Sequence, residues 1–182
     1  RVYDGKGLNV AMQVTEAIGA KLKVAGQLSD QYAEPDYEWP PHVEYVGYVG
    51  IEERKELMKG AIASLLPSLY LEPFGGVQIE NLLSGTPTIT SDWGGFVENN
   101  IEGVTGYRCR TFEEFVKAAH NCINKKINYK DCRKHGEKFS LENVALQYED
   151  FFDKILDVYN GGGWYTIHQP NLYTKEWKDN HR

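Results

Sequence analysis

The run Leu71-Glu72-Pro73-Phe74-Gly75-Gly76-Val77-Gln78-Ile79-Glu80 sets two carboxylates around a glycine pair at the start of a helical pattern. Glycine lacks a Cβ, so the backbone at Gly75 and Gly76 can approach a ligand closely. A helix opening there points unpaired N–H groups and the positive end of its dipole outward, an arrangement suited to phosphate. Glu80 falls one turn beyond Gly76 on the same face. Its carboxylate would repel phosphate but can accept hydrogen bonds from vicinal hydroxyls such as those of a ribose. Alone, the stretch is not specific. Many α/β loops carry glycines before a helix and bind nothing, and an acid early in a helix already suits the dipole. Two carboxylates also admit a hydrolase, although a phosphate-type glycine turn argues against that reading.

The elements that must position these residues alternate. Leu8, Ala11, Met12 and Ile18 fall near a helical stripe over residues 7–19, and 21–26 alternates like a short strand. Residues 29–42, with three prolines, read as a loop. A second strand is expected over 43–49, a charged helix over 52–59, and a strand buried on both faces over 61–66. A turn over 71–76 leads into a helix to about residue 84, with further strands over 87–91 and 106–110. Thr111 and Glu114 form a capping box for an amphipathic helix, Asn128 opens a second, and Ser140 caps a third whose stripe runs from Leu141 to Tyr159. Alternating strands and helices predict an α/β fold, a Rossmann-like parallel sheet flanked by helices, with ligands at the carboxyl ends of the strands. There is no internal repeat.

Composition narrows the classes. The chain of 182 residues is long enough for one well-buried α/β domain and too short for two large ones. A net charge of −6 argues against nucleic acid, which needs a basic surface to displace counterions. No apolar run approaches a membrane span. Three cysteines, Cys109, Cys122 and Cys132, lack metal-ligand spacing and are expected as buried or half-buried thiols in a reducing, cytoplasmic compartment. The five histidines have no ligand spacing, and no acidic cluster suggests a divalent metal, so no metal and no cofactor are expected.

The wider pattern resembles a known family. Glu72-Pro73-Phe74-Gly75-Gly76 through Glu80-Asn81-Leu82-Leu83-Ser84-Gly85-Thr86-Pro87, then Gly94-Gly95-Phe96-Val97-Glu98 and Gly103-Val104-Thr105-Gly106-Tyr107, is similar to the family-4 retaining glycosyltransferases of GT-B architecture. So is Arg1 followed by Lys6-Gly7. The likeness covers roughly residues 1–160. It implies the donor-binding C-terminal domain, 1–160 with its first strand truncated, and a tail over 161–182. It also implies transfer of a sugar from a nucleoside diphosphate sugar to a glycan or glycoconjugate acceptor, with anomeric configuration retained and without metal.

By position, the resemblance gives roles. Arg1 and Lys6 neutralise the donor diphosphate, and Gly75, Gly76 and Val77 take the phosphate nearest the sugar. Glu80 holds the ribose, and Glu72 faces the sugar. Tyr48 and Val49 line the base, and Gly95 belongs to a second loop near the donor. The acceptor-binding N-terminal domain, with any peripheral membrane contact it makes, lies outside this sequence, so the fragment alone is expected to transfer nothing. The rival reading is a nucleotide-holding module without catalysis, against which stands retention of all four of Arg1, Lys6, Glu72 and Glu80. A GT-B isomerase or phosphorylase is a further alternative, disfavoured only by the family-4 spacing.

Overall fold

The computed structural model describes residues 2–34 and 36–162, with only the backbone at Gln31. Arg1 and the aromatic tail after Gly162 therefore lie outside the described residues. The chain divides into two compact units, 1–139 and 140–182.

In the first unit the order is α1 (Leu8–Ala17), β1 (Leu22–Ala25), α2 (Asp30–Ala33), β2 (Val43–Gly47), α3 (Ile51–Gly60), β3 (Ser64–Leu66) and α4 (Gly76–Leu83). It continues with β4 (Thr88–Ser91), α5 (Phe96–Asn99), β5 (Gly106–Cys109), α6 (Phe112–Ile123) and α7 (Tyr129–Gly136). All ladders are parallel, as alternation of strand and helix demands, since each crossover must return the chain to the same end. They form two sheets, β1-β2 and β3-β4-β5. Residues 2–5 sit at the carboxyl ends of both. Val2 N–H donates to Gln27 O at 2.7 Å and Val2 O accepts from Ser29 N at 2.9 Å, while Gly5 O accepts from Leu69 N at 2.9 Å.

α1 packs on both sheets because its apolar positions form two stripes. Leu8 and Met12, four residues apart, join Val2, Val24, Tyr32 and Val43. Val10, Val14 and Ile18, offset around the helix, meet Ile89, Cys109, Phe115 and Cys122. Burial of side chains such as Val14 and Ile89 is worth roughly 1.5–3 kcal/mol each. A third cluster, Ile79, Leu82 and Cys132, fixes α4 against α7.

Three expectations changed. The proline-bearing loop contains the single turn α2 and a nest of rings, with Tyr37 and Trp39 at 4.9 Å and Trp39 and Tyr45 at 5.5 Å. The strand expected over 61–66 is only Ser64–Leu66 and half-buried, and among the described residues it is an edge strand paired with β4 alone. Ser140 occupies the N-cap position of α8 (Leu141–Asn160) without a capping hydrogen bond from its side chain. Thr111 and Glu114 do form the expected capping box, and Asn128 caps α7 through Lys130 N–H.

The second unit is described as far as α8, whose rings at Tyr148, Phe151, Phe152 and Tyr159 are exposed. Among the described residues no helix is long and apolar enough to cross a membrane.

Candidate donor site

The loop after β3 carries Ser68, Tyr70 and Glu72, and the last residue of β4 and the segment after it pin the loop. Alternate carbonyls of the loop each accept one bond. Ser91 Oγ donates to Ser68 O at 2.7 Å, Trp93 Nε1 to Tyr70 O at 3.1 Å, Gly95 N–H to Glu72 O at 2.6 Å, and Asn99 Nδ2 to Phe74 O at 2.5 Å. This contact explains Gly94 and Gly95. A Cβ on Gly94, whose φ is +62°, would stand 2.6 Å from Glu72 O, and one on Gly95 would stand 2.8 Å from Phe74 Cα. The Gly95 amide is thus committed to Glu72 O.

β4 is buried along its whole length although three of its four residues carry hydroxyls. Those hydroxyls are satisfied. Asn100 Nδ2 donates to Thr90 Oγ1 at 3.0 Å and to the Thr88 and Tyr107 carbonyls at 3.2 and 3.1 Å, and Gln78 Nε2 reaches Thr88 Oγ1 at 3.4 Å.

At the head of this scaffold three side chains converge on one oxygen of a fourth. Glu72 Oε2 accepts from Lys6 Nζ at 2.8 Å, from Tyr70 OH at 2.6 Å and from Ser68 Oγ at 3.5 Å. Lys6 Nζ also hydrogen-bonds Tyr70 OH and lies 4.8 Å from the centre of its ring. Burial pushes the Glu72 carboxyl upward, but the bonds from Lys6 and Tyr70 outweigh it and leave the group below its ordinary value. Burial likewise depresses Lys6, and the bonds to Glu72 and Tyr70 reverse this to a net rise. Burial and the bond to Glu72 raise Tyr70 above its ordinary value, against the lowering influence of Lys6. At neutral pH the cluster is therefore a carboxylate, an ammonium and a neutral phenol.

α4 opens at Gly75, the N-cap, with a left-handed φ of +84°. The amides of Gly76 and Val77, at the first two helical positions, have no acceptor within the helix, as at any helix start. Gln78 N–H, by contrast, is taken by Gly75 O at 2.8 Å. Glu80, farther along α4, stands apart from the Lys6 cluster. Its Oε1 pairs with Arg54 Nη2 of α3 at 3.3 Å, and its Oε2 is buried without a hydrogen-bond partner. Tyr48 is 84% exposed and Val49 half-buried, in the loop between β2 and α3. A concavity of about 1420 Å³ between α3, α4 and the start of α7 includes Arg54 and Glu80, but not Lys6 or Glu72. Among the described residues no three His, Cys, Asp or Glu side chains gather as a metal site requires.

Of the residues expected from sequence, Lys6 and Glu72 are thus brought into contact across 66 positions. Sequence reasoning missed Ser68, Tyr70 and Arg54. Tyr70 stands two residues before Glu72, a spacing that puts side chains on one side of an extended segment, and this signal was available. Arg54 had none, since it reads as one more charge on a charged helix.

The decisive comparison is with protein families: residues 1–139 match the family described as glycosyl transferases group 1. The chain belongs to that family. This group 1 glycosyl transferase domain is 45% identical over 65 residues to a glycogen synthase of Mycobacterium tuberculosis, covering 36% of the chain and 16% of that protein. It is 30% identical over 110 residues to the alpha-1,3/1,6-mannosyltransferase ALG2 of Dictyostelium discoideum, covering 57% of the chain and 26% of that protein. Among solved structures it resembles Anabaena HepE in complex with UDP-glucose, with a TM-score of 0.69 and 18% identity over 85% of this chain and 47% of that one. That likeness shows the fold, the C-terminal half of a GT-B glycosyltransferase. The domain spans less than half the length of each of these relatives.

Proposed function

We propose that this domain binds the nucleoside diphosphate sugar in a family-4 retaining glycosyltransferase. The observation that carries the reading is the Lys6–Glu72 contact at 2.8 Å on the loop that runs into the α4 N-terminus. In it, the cation assigned to the diphosphate touches the carboxylate assigned to the sugar. Lys6, with Arg1 five positions before it, stabilises the charge that builds on the leaving diphosphate. The Gly76 and Val77 amides take the phosphate next to the sugar. The buried, unpartnered Glu80 Oε2 accepts from a ribose hydroxyl, and Tyr48 and Val49 flank the base. These cations and the helix start do the work of a metal, so transfer is metal-independent.

The acceptor, a glycan or glycoconjugate, binds an N-terminal domain that closes over this site, and the domain alone transfers nothing. The donor domain runs over 1–160, with 161–182 as its tail. Three buried free thiols suit a reducing, cytoplasmic site.

The test is calorimetric titration of UDP, GDP and ADP, and of their sugars, into the full-length protein in EDTA. Saturable binding lost in Glu80→Ala supports the reading and names the base. No binding of any of them refutes it. Retention is read from the anomeric configuration of the product.

A further inference from the structure

Glu72 places all three of its hydrogen bonds on one oxygen. Oε2 takes Lys6, Tyr70 and Ser68, and Oε1 takes none from the described residues. Oε1 is thus the atom left for a sugar hydroxyl, and Oε2 is the anchor that aims it.

The proton pattern of the anchor is fixed by chemistry. A carboxylate only accepts and an ammonium only donates, so the single phenolic proton of Tyr70 goes to Glu72 and the phenolic oxygen accepts from Lys6. Lys6 is the mobile member. Its side chain is 37% exposed against 14% for Glu72, and a diphosphate carries more negative charge than one carboxylate. Tyr70 is the fixed member. Its carbonyl is held by Trp93 Nε1 at 3.1 Å, and the preceding amide, Leu69 N–H, by Gly5 O at 2.9 Å. Ser68, at 3.5 Å, is too long a contact to hold the carboxylate alone.

We propose that Tyr70 is a positioning residue of the donor site, whose hydroxyl keeps Glu72 ionised and aimed once the diphosphate has drawn Lys6 away. The proposal rests on the donor-site reading above. It makes the Lys6–Glu72 pair a contact of the empty site and the Tyr70–Glu72 bond a contact of the loaded one. Tyr70→Phe keeps the ring and removes only the hydroxyl.

The experiment uses full-length protein labelled at the glutamate side-chain carboxyl carbon, with the Glu72 signal assigned by its loss in Glu72→Gln. Glu72 is titrated by NMR in wild type and Tyr70→Phe, empty and saturated with whichever of UDP, GDP or ADP binds. With nucleotide bound, the Glu72 midpoint is expected to stay below the ordinary carboxylate value in wild type. In Tyr70→Phe it rises by on the order of one pH unit, the share of a hydrogen bond to a charged group. In the empty protein the rise is smaller, because Lys6 is still in place. A ring that merely packs would move neither midpoint. Equal midpoints in the two nucleotide-bound proteins overturn the Tyr70 role and leave the donor site standing. Failure of the wild type to bind any of the three nucleotides refutes the donor site itself, and the Tyr70 role falls with it.

Discussion

Gly94 is the point at which one methyl group should disturb both stability and the site. Its φ of +62° lies in the left-handed region, and a Cβ there would meet Glu72 O at 2.6 Å and Glu72 N at 2.7 Å. Both are backbone atoms, which no side-chain rotation can clear. Gly103 supplies the control, with a φ of +72° and nothing within 4 Å of its Cβ position. Gly103→Ala should therefore cost only the dihedral strain, about 1–2 kcal/mol. Gly94→Ala adds the backbone shift that relieves an overpacked contact, a further 1–3 kcal/mol or so. Urea unfolding of the two variants beside wild type measures the gap. Nucleotide titration measures the second consequence, a loss of affinity in Gly94→Ala that Gly103→Ala does not share, since only the former displaces the Glu72 turn. Equal destabilisation of the two variants would refute the claim that glycine is required at 94 by contact rather than by dihedral angle alone.

Other expectations follow from buried groups. Burial raises Cys109 and Cys122 to about 12 and Cys132 to about 11, so a thiol reagent at pH 8 should find no reactive thiol in the native chain and three after denaturation. Rapid native labelling would contradict this. Glu72 is lowered on folding, so its contribution is present above its unfolded value and lost as pH falls through its lower folded value. Lys6 is raised, so its contribution is present below its unfolded value and lost as pH rises through the folded one. The urea midpoint of Lys6→Met should therefore lie farthest below wild type near neutrality and converge with it in acid; a pH-independent gap would count against the pair. Asn100→Leu removes the donor shared by Thr88 O, Thr90 Oγ1 and Tyr107 O, and the acceptor for Thr105 Oγ1. It should cost roughly 2–4 kcal/mol in urea unfolding, and a cost below about 1 kcal/mol would show these groups satisfied otherwise.

Much of this was legible in the residues. Periodicity gave α1, α4, α6 and the strands around them, because a helix stripe or a β-branched run is a local pattern that tertiary structure had only to accept. Thr111 and Glu114 announced their capping box for the same reason. Strand ends were read less well. The apolar run before Pro67 was expected as a strand over 61–66, yet only Ser64–Leu66 pairs. Pairing depends on a neighbour from elsewhere in the chain, and no local pattern reports which edge that neighbour reaches.

The stretch from Glu72 to Glu80 was determined by sequence alone as a glycine turn opening a helix between two carboxylates, because backbone freedom and charge belong to residue types. What each carboxylate touches was decided only by the fold. Glu72 meets Lys6 from 66 residues away, while Glu80 turns to Arg54 of α3. Gly95, expected beside the donor, has its amide spent on the Glu72 carbonyl. Tyr70 entered the site because the loop after β3 is pinned, carbonyl by carbonyl, to the end of β4 and the segment after it. Those bonds join residues more than 20 positions apart, and a hydrogen bond between distant residues leaves no spacing for the sequence to display.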